Sequence, residues 1–339
     1  MKIVLSLALV AGVFFGILPE IADFSKVWAA IVNMSWVEVG SLLVAGAWNI
    51  ATYQFVVIAV LPGLSYWQAF VVGQSSTAIS TTLPAGSALG VGVTYSMYSA
   101  WGRSGPEIAL AAVLTGLWNN FIKLGLPIVA LAVLAAQGKT DRGLIGAAVI
   151  GVLVLIAAVA LFALMLRSSA FALRIGSGLG RVVSRLLVVV HKPPVDQWGD
   201  AAVRFRAGAI DLLRHRWLRL TVATVVSHLS LFFVLLLALR HMDVTSEQVG
   251  WAEALGAFAL IRLVTALPVT PGGLGLVELG LTAALVLAGG REPGVVAAVL
   301  VYRFLTLLVQ VPLGAISYLV WQRRAGRESS RSVTTAPQK

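Results

Sequence analysis

The sequence predicts an all-α polytopic membrane protein made of two repeats of inverted topology, each with a broken or re-entrant helical hairpin. Of its 339 residues, 59% are hydrophobic and only 12% are charged, and the mean hydropathy is +0.92. These values are typical of chains with several membrane helices. In addition, the basic residues cluster beside apolar segments, and a proline–glycine motif occurs twice. Those three observations support the fold class.

The clearer copy of the motif lies in residues 262–280, which read RLVTALPVTPGGLGLVELG. Its helix-breaking residues are Pro268, Pro271, Gly272, Gly273 and Gly275. The prolines lack a backbone N–H, and the glycines accept backbone angles that other residues avoid. A membrane helix must break here, and the freed backbone is tolerated only where it is buried in protein or lines a polar cavity. Transporters place substrate sites at such breaks.

An earlier copy of the motif lies in residues 81–90, which read TTLPAGSALG and align with residues 265–275 with a single one-residue gap. Its helix-breaking residues are Pro84 and Gly86. Later landmarks keep the same order, since Gly102-Arg103 matches Gly290-Arg291. Two related halves explain this order better than chance does. The alternative is that small residues and leucine recur in any membrane protein.

The expected segments follow from hydropathy and from these motifs. The first membrane half (1–166) contains a short span at 3–18, an interfacial segment at 19–36, a span at 37–61, a hairpin at 67–101 with its tip at 84–92, and spans at 107–136 and 144–166. A basic cytoplasmic loop with amphipathic segments follows at 167–217. The second half (218–321) contains a span at 218–239, a hairpin at 251–288 and a last span at 295–321. Residues 322–339 are expected to form a disordered basic tail.

The placement of charge predicts the orientation. Of the 25 Lys and Arg residues, ten lie between Arg167 and Arg219 and five follow Trp321. Such clusters beside apolar spans are typical of cytoplasmic loops, so we expect both termini to be cytoplasmic. The hairpin at 67–101 then opens to the cytoplasm and the hairpin at 251–288 to the outside. This count does not distinguish re-entrant hairpins from complete pairs of spans.

Four ionisable residues lie in or beside apolar spans: Lys123, Arg262, Glu278 and Arg303. A charge near the bilayer centre costs at least roughly 2.5–3.5 kcal/mol, so each should face a cavity or a partner. We include Asn119, on the same span as Lys123, among the candidate cavity residues. Arg262 is the best candidate to bind an anionic headgroup, because a guanidinium matches the geometry of phosphate.

Each of these residues also has a structural interpretation. Arg303 and Glu278 could form a buried ion pair that fixes the hairpin to the last helix. The long stem of Lys123 could carry its charge to the membrane surface. Four polar or aromatic residues within the first full span could line a cavity or could serve as hydrogen-bonding contacts between helices, and we favour the second interpretation. They are Trp48, Asn49, Tyr53 and Gln54.

Several function classes are excluded. There is no cysteine, and the four histidines are scattered, with only His228 expected inside a span. We find no spacing of metal ligands and no nucleophile with a base. The net charge of +11 is placed as in a membrane protein and not as in a nucleic-acid-binding protein. We therefore expect no catalysis, no metal, no cofactor and no nucleic-acid partner.

The segment PVTPGGLGLVELGL, with Ala297-Ala298 and Tyr302-Arg303 after it, resembles the transmembrane domain of bacterial lysyl-phosphatidylglycerol synthases and their stand-alone flippase-like relatives. The resemblance implies a multi-pass protein of the bacterial cytoplasmic membrane that moves a polar lipid through a cavity between repeat halves. The soluble transferase domain of the synthases is not seen here. Relatives also often carry a basic residue after the first-half glycine, where Gly92-Val93-Thr94-Tyr95 supplies none.

These observations predict a lipid flippase or transporter that moves a polar or anionic headgroup without chemistry of its own. Its expected partners are membrane lipids. The alternative is a membrane accessory subunit that presents lipid to a partner glycosyltransferase or synthase.

Overall fold

The computed structural model describes residue 29 and residues 31–83, 86–139, 142–189, 197–266 and 271–334. Within these ranges the regular structure is entirely helical, with no strand. The helices are α1 Trp36–Val60, α2 Tyr66–Thr82, α3 Gly86–Ala100, α4 Gly105–Ala136, α5 Arg142–Arg167, α6 Ser169–Val189, α7 Trp198–His241, α8 Trp251–Val264, α9 Leu276–Leu287, α10 Glu292–Arg303 and α11 Gln310–Thr334. A 3-10 turn, Pro271–Gly273, precedes α9, and a π-helical turn, Phe304–Leu308, joins α10 to α11.

Five helical segments are long and apolar enough to cross a membrane. They are Trp36–Val60, Gly105–Ala136, Ala148–Arg167, Trp198–His241 and Glu292–Arg323. This confirms a multi-pass helical membrane protein. Leu153, Ile156 and Leu161 on α5 are exposed, as expected of a helix that faces lipid. The expected first span (3–18) and most of the interfacial segment (19–36) lie outside the described residues.

Local sequence explains where three helices begin. Ser35, Ser65 and Ser104 each cap the following helix by accepting a hydrogen bond from the backbone N–H three residues later, and the Glu or Gln side chain at that third position binds back to the serine N–H. This reciprocal arrangement pairs two N–H groups that helix geometry leaves free. It fixes the starts of α1, α2 and α4 after their connecting loops.

Helices α1 and α7 form the antiparallel centre of the molecule. Ser41 near the start of α1 hydrogen-bonds to His241 at the end of α7, with 2.8 Å between Oγ and Nε2. Further along, the Asn49 amide donates to Ser230 Oγ at 2.9 Å. Apolar side chains of both helices meet in one buried core that includes Leu42, Ala45, Val234, Leu235 and Ala238. Polar cross-links within an apolar interface fix the register of the pair.

The first hairpin is α2 and α3, packed closely against each other. A Cβ at Gly86 or Gly90 would collide with the end of α2, at Ser80 in both cases, so only glycine permits this approach. At the open end, Arg103 Nη1 donates to the Pro62 carbonyl at 2.9 Å. The loop before α2 and the loop after α3 therefore lie together.

The second hairpin is α8 and α9, joined through the proline–glycine segment. At its open end, the chain around Gly289 packs against the loop after α7, since a Cβ there would lie 2.8 Å from the Gln248 carbonyl oxygen. Among α8 residues, Ala254, Phe258 and Ala259 are buried in the same core as α7.

Each hairpin packs against the long helix of the other half. α2 lies against α11, and Gly314 permits this because a Cβ there would collide with the Gln74 carbonyl oxygen. α8 lies against α4, where Lys139 after α4 forms an ion pair with Glu253 at the start of α8. The two halves are thus interleaved and not merely adjacent.

The structure differs from the sequence prediction at three places. The basic region predicted as a loop (167–217) is largely helical: α6 occupies its first part, and α7 runs from Trp198 through the expected boundary at 217 without a break. The disordered tail predicted from residue 322 is wrong as far as Thr334, because α11 continues to that residue. Arginine, alanine and glutamate in this segment are good helix formers. The tip predicted at 84–92 is shorter, because α3 already begins at Gly86.

Candidate functional site

The second break is a sharp reversal of the backbone made by three glycines. Gly272, Gly273 and Gly275 have φ values of 61°, 68° and 78°, which are strained for residues with a side chain. Pro271 begins the 3-10 turn, while Pro268 and, in the first hairpin, Pro84 lie outside the described residues. The predicted interruption of the helix is present, since α8 ends at Val264 and α9 begins only at Leu276.

An ion pair between Arg303, at the end of α10, and Glu278, on α9, holds this break against α10. Arg303 Nε donates to Glu278 Oε1 at 2.6 Å, and Arg303 Nη2 donates to the Gly272 carbonyl at 2.8 Å. The side chains are 11% and 2% exposed, so the pair is almost dry. Glu278 also lies in the first turn of α9, where the helix dipole favours a negative charge. The predicted pair is therefore formed, and its geometry is that of a clamp.

The second break lies against the end of α2. A Cβ built at Gly272 would lie 3.2 Å from Thr81 Cγ2, and Thr81 stands at the end of α2 where the first hairpin turns. Beside this contact lies a cavity of about 280 Å³, lined among others by Ser87, Lys123, Arg262, Gly272, Tyr302 and Arg303. We call it the cationic cavity, because three of its lining side chains are Lys or Arg.

Two of these cations have no acidic partner. Arg262, in the last turn of α8, has no hydrogen-bond partner at its buried Nε. Within the described ranges, Lys123 on α4 donates from Nζ only to the Thr265 carbonyl, at 3.3 Å. Among the described residues, the one carboxylate that pairs with a cation of this cavity is Glu278, and it pairs with Arg303. The cavity therefore holds two cations in excess.

A second cavity of about 190 Å³ adjoins the first, and Arg262 lines both. We call it the polar cavity. Its polar lining is mostly amide and hydroxyl side chains, including Asn49, Tyr53, Gln74, Asn119, Thr306 and Gln310. They come from α1, α2 and α4 of the first half and from the last helical segment of the second half. The polar cavity thus has lining residues from both sides of the basic region 167–217.

His228 on α7 contacts Arg262 and lines the polar cavity. Its Nδ1 lies 3.0 Å from the Thr224 carbonyl, which can only accept, so Nδ1 carries a proton. Its Nε2 lies 3.5 Å from Arg262 Nη2, a donor, and is therefore the unprotonated nitrogen. His228 is a neutral acceptor, and its long contact to the guanidinium does not neutralise that charge.

The structure brings together all five of the predicted site residues. Lys123, Arg262 and Arg303 line the cationic cavity, Glu278 pairs with Arg303, and Asn119 lines the polar cavity. Asn119 also donates to the Thr115 carbonyl of its own helix.

Sequence reasoning left the role of the first full span open. Asn49 lines the polar cavity and also cross-links α1 to α7, and Tyr53 lines the same cavity. His228 and Gln310 were missed as site residues, because their place beside Arg262 depends on how α7 and α11 pack. Position inside a span was the only available signal for His228.

The described residues contain no group of three His, Cys, Asp or Glu side chains that could hold a metal ion. With Lys123, Arg262 and Arg303 in its lining, the cationic cavity offers hydrogen-bond donors and positive charge, which suit the binding of an anion.

Comparison with known proteins agrees with this architecture. A family model described as "Lysylphosphatidylglycerol synthase TM region" matches residues 3–314, nearly the whole chain. No match was found among the curated proteins. The family match confirms the resemblance seen in the proline–glycine segment and links this membrane protein to lipid handling. The chain therefore belongs to the lysylphosphatidylglycerol synthase transmembrane-region family.

Proposed function

We propose that this protein is a lipid flippase, which moves a polar or anionic headgroup across the bacterial cytoplasmic membrane through the joined cavities. The observation that carries the proposal is the excess of two cations in the cavity beside the second helix break. Arg262 and Lys123 have no acidic partner in the described part of the chain, and a buried cation without a counter-ion is costly. An anionic headgroup between the halves supplies the missing charge.

Helix packing supports an inverted repeat. In such a repeat, α1 corresponds to the membrane part of α7, α2 to α8, α3 to α9, and α4 to α10 and α11. The packing of α2 on α11 then has its counterpart in the packing of α8 on α4. The corresponding helices α1 and α7 pack together in antiparallel fashion. The first hairpin opens at the end where α1 finishes, and the second at the end where α7 finishes. Opposite openings are what two gates in alternating access need.

The charge of the two ends supports an orientation with both termini in the cytoplasm. The helices α6 and α7 carry exposed arginines around their junction, among them Arg174, Arg181, Arg204 and Arg214. Basic segments beside membrane spans remain on the cytoplasmic side. The apolar residues between these arginines would allow α6 to lie on an anionic leaflet.

The proposal needs no reaction at the site. Among the described residues that line the cavities, none is a nucleophile with a neighbouring base and acid, and His228 has both nitrogens engaged. Binding and release of a headgroup are sufficient for transport. Ion coupling and passive movement down a gradient both remain compatible with this site.

Translocation in vesicles tests the proposal. The purified chain is reconstituted into phosphatidylglycerol vesicles that contain a lipid with a fluorophore on its acyl chain, and a membrane-impermeant reductant then quenches the outer leaflet. We expect a protein-dependent rise in quenchable lipid. Arg262→Gln should slow it roughly tenfold or more, because a charged hydrogen-bonding group is lost.

The matched control is Arg219→Gln on the exposed face of α7, which should move lipid at the unmodified rate. Equal rates for Arg262→Gln and the control would remove the site from the transport path. Movement that appears only after addition of a lipid-modifying enzyme would favour the accessory-subunit role.

A further inference from the structure

The two joined cavities differ in charge, and this difference determines which headgroups fit. We propose that the site selects a phosphodiester whose outer polar part is uncharged, carrying hydroxyl or amide groups, and that it rejects aminoacylated, cationic headgroups. The inference rests on the proposed function and adds the substrate class. It follows from three features: an anion seat, an uncharged polar chamber, and one residue shared between them.

The cationic cavity provides the anion seat. An ammonium has three hydrogen-bond donors and a guanidinium has five. Among the described residues, Lys123 meets one acceptor, the Thr265 carbonyl. Arg262 has a long contact to His228 and no acceptor at its Nε. Donors therefore exceed acceptors on both side chains. A phosphate oxygen accepts several such bonds at once and carries the opposite charge.

The polar cavity is lined by neutral groups apart from Arg262. Its polar side chains are amides, hydroxyls and the neutral ring of His228, and no carboxylate of the described residues lines it. Gln74 Oε1 is buried there without a hydrogen-bond partner, so it can accept from a hydroxyl or amide of the ligand. The volume of about 190 Å³ far exceeds the roughly 10–15 Å³ that one water needs.

Arg262 connects the two cavities, since it lines both. A phosphate bound at Arg262 places the rest of the headgroup at the mouth of the polar cavity. A hydroxyl-bearing group then meets donors and acceptors. An ammonium group meets the same amides and hydroxyls but no carboxylate of the described residues, so its charge would be buried there without a counter-ion. Glu278 does not supply one, because it pairs with Arg303 and does not line the polar cavity.

The same phosphate chemistry could come from a lipid headgroup or from a soluble phosphate ester. The experiment therefore compares three ligands on the full chain in vesicles: acyl-labelled phosphatidylglycerol, acyl-labelled lysyl-phosphatidylglycerol, and radiolabelled glycerol phosphate. We expect phosphatidylglycerol to cross, its lysyl ester to cross at a rate lower by roughly tenfold or more, and glycerol phosphate not to enter.

Each outcome has a defined meaning. If the lysyl ester crosses as fast as phosphatidylglycerol, the selectivity is wrong while the flippase proposal stands. If neither lipid crosses, the proposed function itself fails. Uptake of glycerol phosphate without movement of lipid would show that the anion seat serves a soluble ester, and would overturn the lipid assignment.

A gain of function completes the test. Gln74→Glu places a carboxylate in the polar cavity with almost no change of shape, so it should raise the rate for the lysyl ester and lower it for phosphatidylglycerol. Gln310→Glu tests the same change from α11, in case the first variant does not fold. The matched control Gln137→Glu lies on an exposed position after α4 and should alter neither rate. Failure of both folded cavity variants to shift the ratio would contradict the charge argument.

Discussion

The Arg303–Glu278 clamp makes a quantitative prediction. In Glu278→Gln the guanidinium of Arg303 keeps its bond to the Gly272 carbonyl but loses its counter-ion. Because the Arg303 side chain is only 11% exposed, water does little to compensate the charge. Breaking such a pair by removing one partner costs about 3–5 kcal/mol. We expect a loss of that size in the free energy of unfolding.

The double variant Glu278→Gln, Arg303→Gln separates the charge effect from loss of packing. It leaves no unpaired ion, so it should be more stable than Glu278→Gln alone. The unfolding free energy would be measured in mild detergent mixed with increasing denaturing detergent, followed by tryptophan fluorescence. The clamp argument would be refuted if Glu278→Gln were as stable as the unmodified chain, or if the effects of the two substitutions simply added.

Three further predictions concern the break, the interleaved packing and the orientation. Gly272→Ala should destabilise the chain by roughly 1–2 kcal/mol, because its φ of 61° disfavours a side chain and the new Cβ would press on Thr81; a neutral result in the same unfolding assay would argue against this backbone geometry. Gly314→Ala should destabilise by about 1–3 kcal/mol through collision with the Gln74 carbonyl, whereas Gly116→Ala, which meets nothing within 4 Å on α4, should be neutral or slightly stabilising. Because the chain has no cysteine, Arg181→Cys should react with a membrane-impermeant maleimide only from the cytoplasmic side and Ser246→Cys only from the outside; the reverse pattern would invert the topology.

The sequence predicted the break and its charged partners because both conflict with their surroundings. Prolines, glycines and charges within an apolar stretch have few interpretations, so an ion pair between Arg303 and Glu278 could be predicted from the sequence. The pairing of Arg262 with His228 could not be predicted, because it joins α8 to α7 across the packed core. Periodicity along one helix says nothing about which face of another helix it meets.

Helix continuity was the other property that sequence patterns missed. The basic region before residue 217 looked like a loop, since its arginines lower the hydropathy. However, its last part belongs to α7, a continuous helix of 44 residues from Trp198 to His241. Hydropathy reports where a helix leaves the membrane and not where it ends. Gly314 gave no signal either, since its importance depends on the Gln74 carbonyl and the Ala78 Cβ that lie opposite it on α2.

Arg262 is the one residue among the described lining residues that the cationic cavity and the polar cavity share. A long, flexible stem can swing its guanidinium aside through rotamer changes alone, while the helix that bears it stays in place. In the proposed flippase, passage from one cavity to the other then depends on how readily Arg262 exchanges its contacts within the protein for the phosphate of the lipid. Movements of whole helices would then have a separate role in the proposed flippase, which is to set the side of the membrane that the cavities face.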